Sequence, residues 1–83
     1  MNITVKYRGS LAEYTQVSSE ILSVSSVKEV LQHIKSTYGK PAEKEARRML
    51  ISVNGKSILL LHNHKTLLQN GDIVSFIPIC GGG

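Results

Sequence analysis

The 83-residue chain has one cysteine, Cys80, two prolines and no tryptophan. A single thiol excludes an intrachain disulfide and any multi-cysteine zinc site within one chain. Aromatic residues are few: Tyr7, Tyr14, Tyr38 and Phe76. They do not interleave with basic residues, as a base-stacking platform requires. Ten basic residues against six acidic ones give a net charge of +4. That mild excess suits an acidic protein partner and is too weak to indicate nucleic acid. Long apolar runs are also missing. The longest aliphatic run, Ile58 to Leu61, is far too short to span a bilayer. No basic segment followed by an apolar stretch opens the chain. The expectation is a soluble, cytoplasmic protein with no nucleic-acid and no membrane partner.

What is present fits one small globular domain: 41% hydrophobic and 19% charged residues. A chain this short buries roughly 60% of its unfolded surface, too little to house a large active site as well as a core.

Ile3, Val5 and Tyr7 alternate with Thr4, Lys6 and Arg8, which predicts a half-buried strand over residues 2–8. Gly9-Ser10 breaks it, and Leu11 to Tyr14 predicts one helical turn. Residues 17–24 predict a second strand, with Val17 and Ile21 on one face. Ser26 and Glu29 carry the spacing of a capping box. Val27, Val30, Leu31, Ile34 and Tyr38 then form one apolar stripe on a three-turn helix. Gly39 supplies a left-handed stop, and Pro41 prevents continuation. The polar residues 41–48 predict a short exposed helical turn. Met49 to Val53 predicts a strand, Asn54-Gly55 a hairpin turn, and Lys56 to Leu60 the returning strand. Residues 62–69 read as a connecting loop, Asn70-Gly71-Asp72 as a tight turn, and Ile73 to Ile79 as the last strand. Pro78 places the end of that strand at an edge or beyond the pairing.

This order, ββα then βββ, predicts an α+β fold of the β-grasp kind: a mixed sheet of four to five strands packed on one main helix. Central, parallel first and last strands would bring the C-terminal end out at one end of the sheet. The domain is expected over residues 1–80, followed by a flexible tail at 81–83.

The chain ends in Gly81-Gly82-Gly83. Three terminal glycines arise by chance in roughly 3 of 10,000 cases at average usage. Without Cβ atoms, such a tail can thread a channel that other residues would block. The expectation is that a partner handles the terminal carboxylate itself. That carboxylate is ionised at neutral pH, with a pKa near about 3.5, and resists nucleophilic attack. It needs activation, most simply as an acyl-adenylate. The chain shows no ATP site. Gly55-Lys56-Ser57 mimics the end of a phosphate-binding loop, but the glycine required five residues before Gly55 is Leu50. The same test at Gly39-Lys40 finds Ile34. No cofactor is expected on this chain, and ATP would belong to a partner enzyme.

Other constellations are weaker. Cys80 reads as a small hydrophobe at a strand end, with a thiol role as the alternative. His62 and His64 lack an evident third metal ligand, so no metal is expected. His33 lies off the apolar stripe and reads as solvated. Lys40, Lys44, Arg47 and Arg48, interrupted by Glu43 and Glu45, read as a solvated face, or as a patch steering an acidic partner. Glu43 and Glu45 do not converge on a helix, and no Ser-centred nucleophile elbow exists.

The segment Leu68-Gln69-Asn70-Gly71-Asp72-Ile73-Val74-Ser75-Phe76-Ile77-Pro78, leading to Gly82-Gly83, resembles the sulfur-carrier branch of the ubiquitin-like proteins. The resemblance extends over essentially the whole chain and is nearest to the small subunit of molybdopterin synthase (the MoaD type). Where that family often has a second proline, a valine and a small residue before its two glycines, this chain has Ile79, Cys80 and Gly81.

The resemblance implies a partner adenylating enzyme of the ubiquitin-activating type, a sulfur donor protein, and a thiocarboxylate on Gly83. Gly81 and Gly82 would be the slender stem. Phe76, Ile77, Pro78, Ile79 and Cys80 would be the docking residues beside it, with Ile77 favoured. The sulfur would serve molybdopterin biosynthesis after the tail enters the large synthase subunit. The chain would then be a co-substrate and subunit, not a catalyst alone. Three alternatives stay open: a protein modifier joined to lysines, a sulfur carrier for thiamine or tRNA thiolation, and an interaction domain with an inert tail.

Overall fold

The computed structural model describes residues 1–79; Cys80, Gly81, Gly82 and Gly83 lie outside the described residues. Strand β1 (Ile3–Lys6) leads into the short helix α1 (Ser10–Thr15) and strand β2 (Ser19–Leu22). Helices α2 (Val27–Tyr38) and α3 (Lys40–Arg47) follow, then strands β3 (Leu50–Val53), β4 (Lys56–Ser57) and β5 (Ile73–Ile77). The sheet order is β2-β1-β5-β3-β4. β1 and β5 are the parallel central pair, and the other pairings are antiparallel. This is the expected β-grasp arrangement, with five strands.

The register explains the core. Val5 lies beside Val74, and Ile51 beside Phe76. Their side chains point to one face, where Val27, Val30, Leu31 and Ile34 of α2 meet them, all essentially without solvent exposure. The predicted stripe is thus the buried face of the helix, with Tyr38 half-buried at its end.

Ser26 caps α2 by accepting a hydrogen bond from the Glu29 amide at 3.3 Å. The reciprocal arm differs from the expected box. Glu29 accepts instead from the amide and hydroxyl of Ser25, at 3.1 and 2.7 Å. Ser26→Ala should therefore cost about 1 kcal/mol, which thermal unfolding would report.

Three predicted elements change. The segment after Gly39 is a two-turn helix, not a short exposed turn, and it packs against α2 and α1. Gly39, at φ 99 and ψ 168, turns the chain so sharply that α3 starts at once, and Pro41 sits in its first turn, where its missing N–H costs nothing. Ala42 and Ala46 are fully buried, one turn apart on the face that packs toward the core. The predicted strand over 17–24 shrinks to Ser19–Leu22, because Val17 is held in a turn by Thr15, whose hydroxyl donates to the Val17 carbonyl at 2.8 Å. The predicted return strand stops after Ser57. The Ser57 hydroxyl accepts from the Leu59 amide at 3.2 Å and curls Ile58–Leu60 into a 3-10 turn.

The far end of the sheet is tied by turn residues. Asn54 and Gly55 adopt φ of 52 and 85, as a tight hairpin requires. The Asn54 side chain donates to Asp72 at 2.9 Å and accepts from the Ile73 amide at 2.9 Å. Asp72 also accepts from the Gln69 amide at 2.8 Å. Residues that carried the family resemblance thus close the fold at the end opposite to where β5 leaves it.

Candidate functional site

The site is the end of β5. Alternation along this strand sends Val74 and Phe76 into the core, and Ile73, Ser75 and Ile77 to the outer sheet face. Phe76 is 0% exposed and stacks on Tyr7, ring centroids 6.1 Å apart. The expectation that Phe76 contacts a partner is therefore corrected: period two places it opposite Ile77, inside the core. Ile77 is half-buried and pairs across the sheet with Leu50. Pro78 is half-buried, and Ile79 is 66% exposed. The expected docking residue Cys80 and the expected stem residues Gly81, Gly82 and Gly83 lie outside the described residues.

Ile79 and Leu50 line a shallow cleft with Ile58 and with Leu59, which is 72% exposed. Arg47 and His64 complete it, with the Arg47 Nη1 and His64 Nδ1 atoms 3.5 Å apart. Arg47 also pairs with Glu43 at 3.2 Å, and Arg48 with Glu45 at 3.8 Å. Glu45 further accepts from the Ser10 hydroxyl. Acidic groups here are thus engaged within the fold, while Lys40 and Lys44 on the same helix stay exposed. An apolar cleft edged by Arg47 and His64 lies beside the exit of β5.

Sequence reasoning missed Leu50, Leu59 and Arg47 as neighbours of this exit. Leu50 could have been found, because it has the opposite phase to Ile51 and shares the face of Ile77. Arg47 and Leu59 come near only because α3 and the 3-10 turn exist. Among the described residues, no cluster of three or more His, Cys, Asp or Glu side chains could hold a metal ion. Among the described residues, no helix is long and apolar enough to cross a membrane.

A second polar cluster lies on the core side. One oxygen of Glu20 accepts from the hydroxyls of Tyr7 and Tyr38 at 2.5 and 2.8 Å, with His33 Nε2 at 3.3 Å. His33 was expected to be solvated; β2 instead brings Glu20 against it. Burial alone would raise the Glu20 carboxyl, but the hydroxyls of Tyr7 and Tyr38 and the imidazole of His33 outweigh it and hold the pKa below the ordinary range. Burial first, and then Glu20, push Tyr38 up to about 12 and raise Tyr7 as well.

The signs are opposite. The Glu20 contribution to stability is present above the unfolded value of 4.5 and is lost as pH falls through the lower folded value. The tyrosine contribution is present below 10.0 and is lost as pH rises toward about 12. Thermal melts of Glu20→Gln across pH should show a loss of about 1–2 kcal/mol near neutrality and a flatter acid limb. An unchanged pH profile would contradict this role.

The comparisons with known proteins agree with the geometry. The family model described as ThiS family matches residues 5–83. No curated protein sequence matches the chain. Among solved structures, the small archaeal modifier protein 1 of Methanosarcina acetivorans superposes with a TM-score of 0.83 at 26% identity, covering 99% of this chain and 96% of that one. One chain of the protein–protein complex of subunits 1 and 2 of the molybdopterin-converting factor from Helicobacter pylori gives a TM-score of 0.70 at 23% identity, covering 100% of this chain and 100% of that one. The BexX/CysO complex of Amycolatopsis orientalis gives 0.82 at 18% identity, covering 98% of this chain and 99% of that one.

Proposed function

The chain belongs to the ThiS family, and from that premise we propose that it carries sulfur as a thiocarboxylate on Gly83 and donates it in molybdopterin biosynthesis. The observation that carries this reading is the placement of β5. As a central strand paired parallel to β1, it ends beside an apolar cleft edged by Arg47 and His64. The likeness to a molybdopterin-converting factor subunit supports the choice of pathway.

The chemistry runs in three steps. An oxygen of the Gly83 carboxylate attacks the α-phosphorus of ATP on a ubiquitin-activating-type enzyme, and pyrophosphate leaves. A sulfur nucleophile at the hydrosulfide level, supplied by a sulfur donor protein, attacks the acyl carbon. AMP leaves, and the carbonyl now bears sulfur. The thiocarboxylate then enters the large subunit of molybdopterin synthase, where its sulfur passes to a cyclic pterin precursor and water restores the carboxylate. Gly81 and Gly82 form the stem. Ile77, Pro78 and Ile79 dock on the partner, and their apolar surface is continuous with Leu50 and Leu59. ATP is bound by the partner, and this chain is a co-substrate.

A deletion strain tests the pathway. It should accumulate the pterin precursor and lose molybdenum- or tungsten-enzyme activity, with thiamine synthesis and tRNA thiolation intact. Loss of either of the latter with normal pterin metabolism would contradict the assignment. The likeness to a small archaeal modifier protein favours a second reading. There, a lysine amine displaces AMP from the same adenylate and forms an isopeptide bond.

A further inference from the structure

β1 and β5 run parallel with Lys6 beside Ser75, so the two strands end side by side. Beyond their ends, Gly9 meets Pro78. Gly9 adopts φ 58 and ψ −137, a conformation that side chains with a Cβ rarely take. A Cβ at this position would lie 2.6 Å from Cγ of Pro78 and 3.5 Å from its Cβ. The proline ring therefore occupies the space where any other residue would begin its side chain. Backbone conformation and close approach separately require glycine here.

The geometry points to Gly9 as a positioning residue for the carrier reaction: it seats the ring of Pro78 and so sets the direction in which the chain leaves β5 toward Gly83. This inference rests on the carrier reading above. Pro78 has a fixed φ and no N–H to continue the ladder, and its ring against Gly9 fixes the chain just past the end of β5. Five residues, 79–83, reach at most about 17 Å. With a stem that short, the position and direction of its root bound the space the carboxylate can reach. The carboxylate must come within about 3–3.5 Å of the atom it attacks, and a misplacement of about 1 Å costs on the order of 100-fold.

The test is pyrophosphate exchange into ATP by the adenylating enzyme, with the full-length carrier as the varied substrate. Gly9→Ala should lower kcat about 30- to 100-fold while KM, set by the outer docking face, stays within about threefold. Pro78→Ala removes the clashing Cγ and leaves Cβ at ordinary contact distance. The double variant Gly9→Ala/Pro78→Ala should therefore return kcat to that of Pro78→Ala, although the backbone strain at residue 9 remains. A structural loss would follow the folded fraction in melts, whereas the loss expected here persists when kcat is referred to the folded fraction.

Should Gly9→Ala fail to fold, Pro78→Gly empties the seat without a clash and should lower kcat about tenfold, over and above any rise in KM from the docking contact it removes. Wild-type kcat in folded Gly9→Ala or in Pro78→Gly, or no rescue in the double variant, overturns the role of Gly9. No exchange with the wild-type chain overturns the carrier reading itself, and this inference with it.

Discussion

A chain lacking Gly83 loads no sulfur, yet melts within about 2–4 °C of the full-length chain. The first half follows from chemistry. The reacting carbon belongs to Gly83, and removing the residue moves the carboxylate one position back along the stem, by about 3.5 Å. An adenylating site that requires near-attack geometry does not tolerate that distance. The second half follows from the fold. The core cluster runs from Ile3 to Phe76, and none of its members is near Gly83 in sequence. The measurement is sulfur incorporation with the adenylating enzyme, ATP and hydrosulfide, alongside a thermal melt. Residual loading by the truncated chain would show that the last residue is not the acceptor. A large drop in melting temperature would show that it serves the fold.

Adjacent residues 76 and 77 should fail in opposite ways. Phe76 is fully buried between Tyr7 and α2, so Phe76→Ala should cost about 3–5 kcal/mol. That lowers the melting temperature by on the order of 20 °C for a domain of this size and threatens a small fold with only about 5–15 kcal/mol in hand. Ile77 faces outward beside Leu50, and Ile77→Glu places a charge in the docking face without touching the core. Its folding loss should stay near about 1 kcal/mol, while affinity for the adenylating enzyme falls about 30-fold, equivalent to about 2 kcal/mol at an interface centre. Melts and binding titrations on both variants check this. Ile77→Glu with wild-type affinity would remove Ile77 from the interface, and a stable Phe76→Ala would contradict its place in the core.

The fold was legible where physics is local. The stripe from Val27 to Tyr38, the Ser26 cap, the Asn54-Gly55 hairpin and the alternation at Ile3, Val5 and Tyr7 each encode their own structure. Helix α3 was legible only as a short exposed turn; its full length and its buried face were not, because the buried positions are Ala42 and Ala46. Alanine fits a close helix contact but leaves little hydrophobic signal among Lys, Glu and Arg. The curl after Ser57 depends on one hydroxyl reaching the Leu59 amide, which no periodicity reveals. In the site, alternation alone separates Phe76 from Ile77. The contacts of Gly9 with Pro78 and of Glu20 with Tyr7, Tyr38 and His33 join residues far apart in sequence, and only the strand order brings them together.

The most direct test of the carrier reading is the intact mass of the chain, tagged only at its N-terminus and purified from its native cell. A sulfur carrier yields a species heavier by the exchange of one oxygen for one sulfur, with the change mapped to Gly83. An unmodified carboxylate under every growth condition would contradict that reading, and a ladder of larger adducts joined through Gly83 would replace it with protein modification.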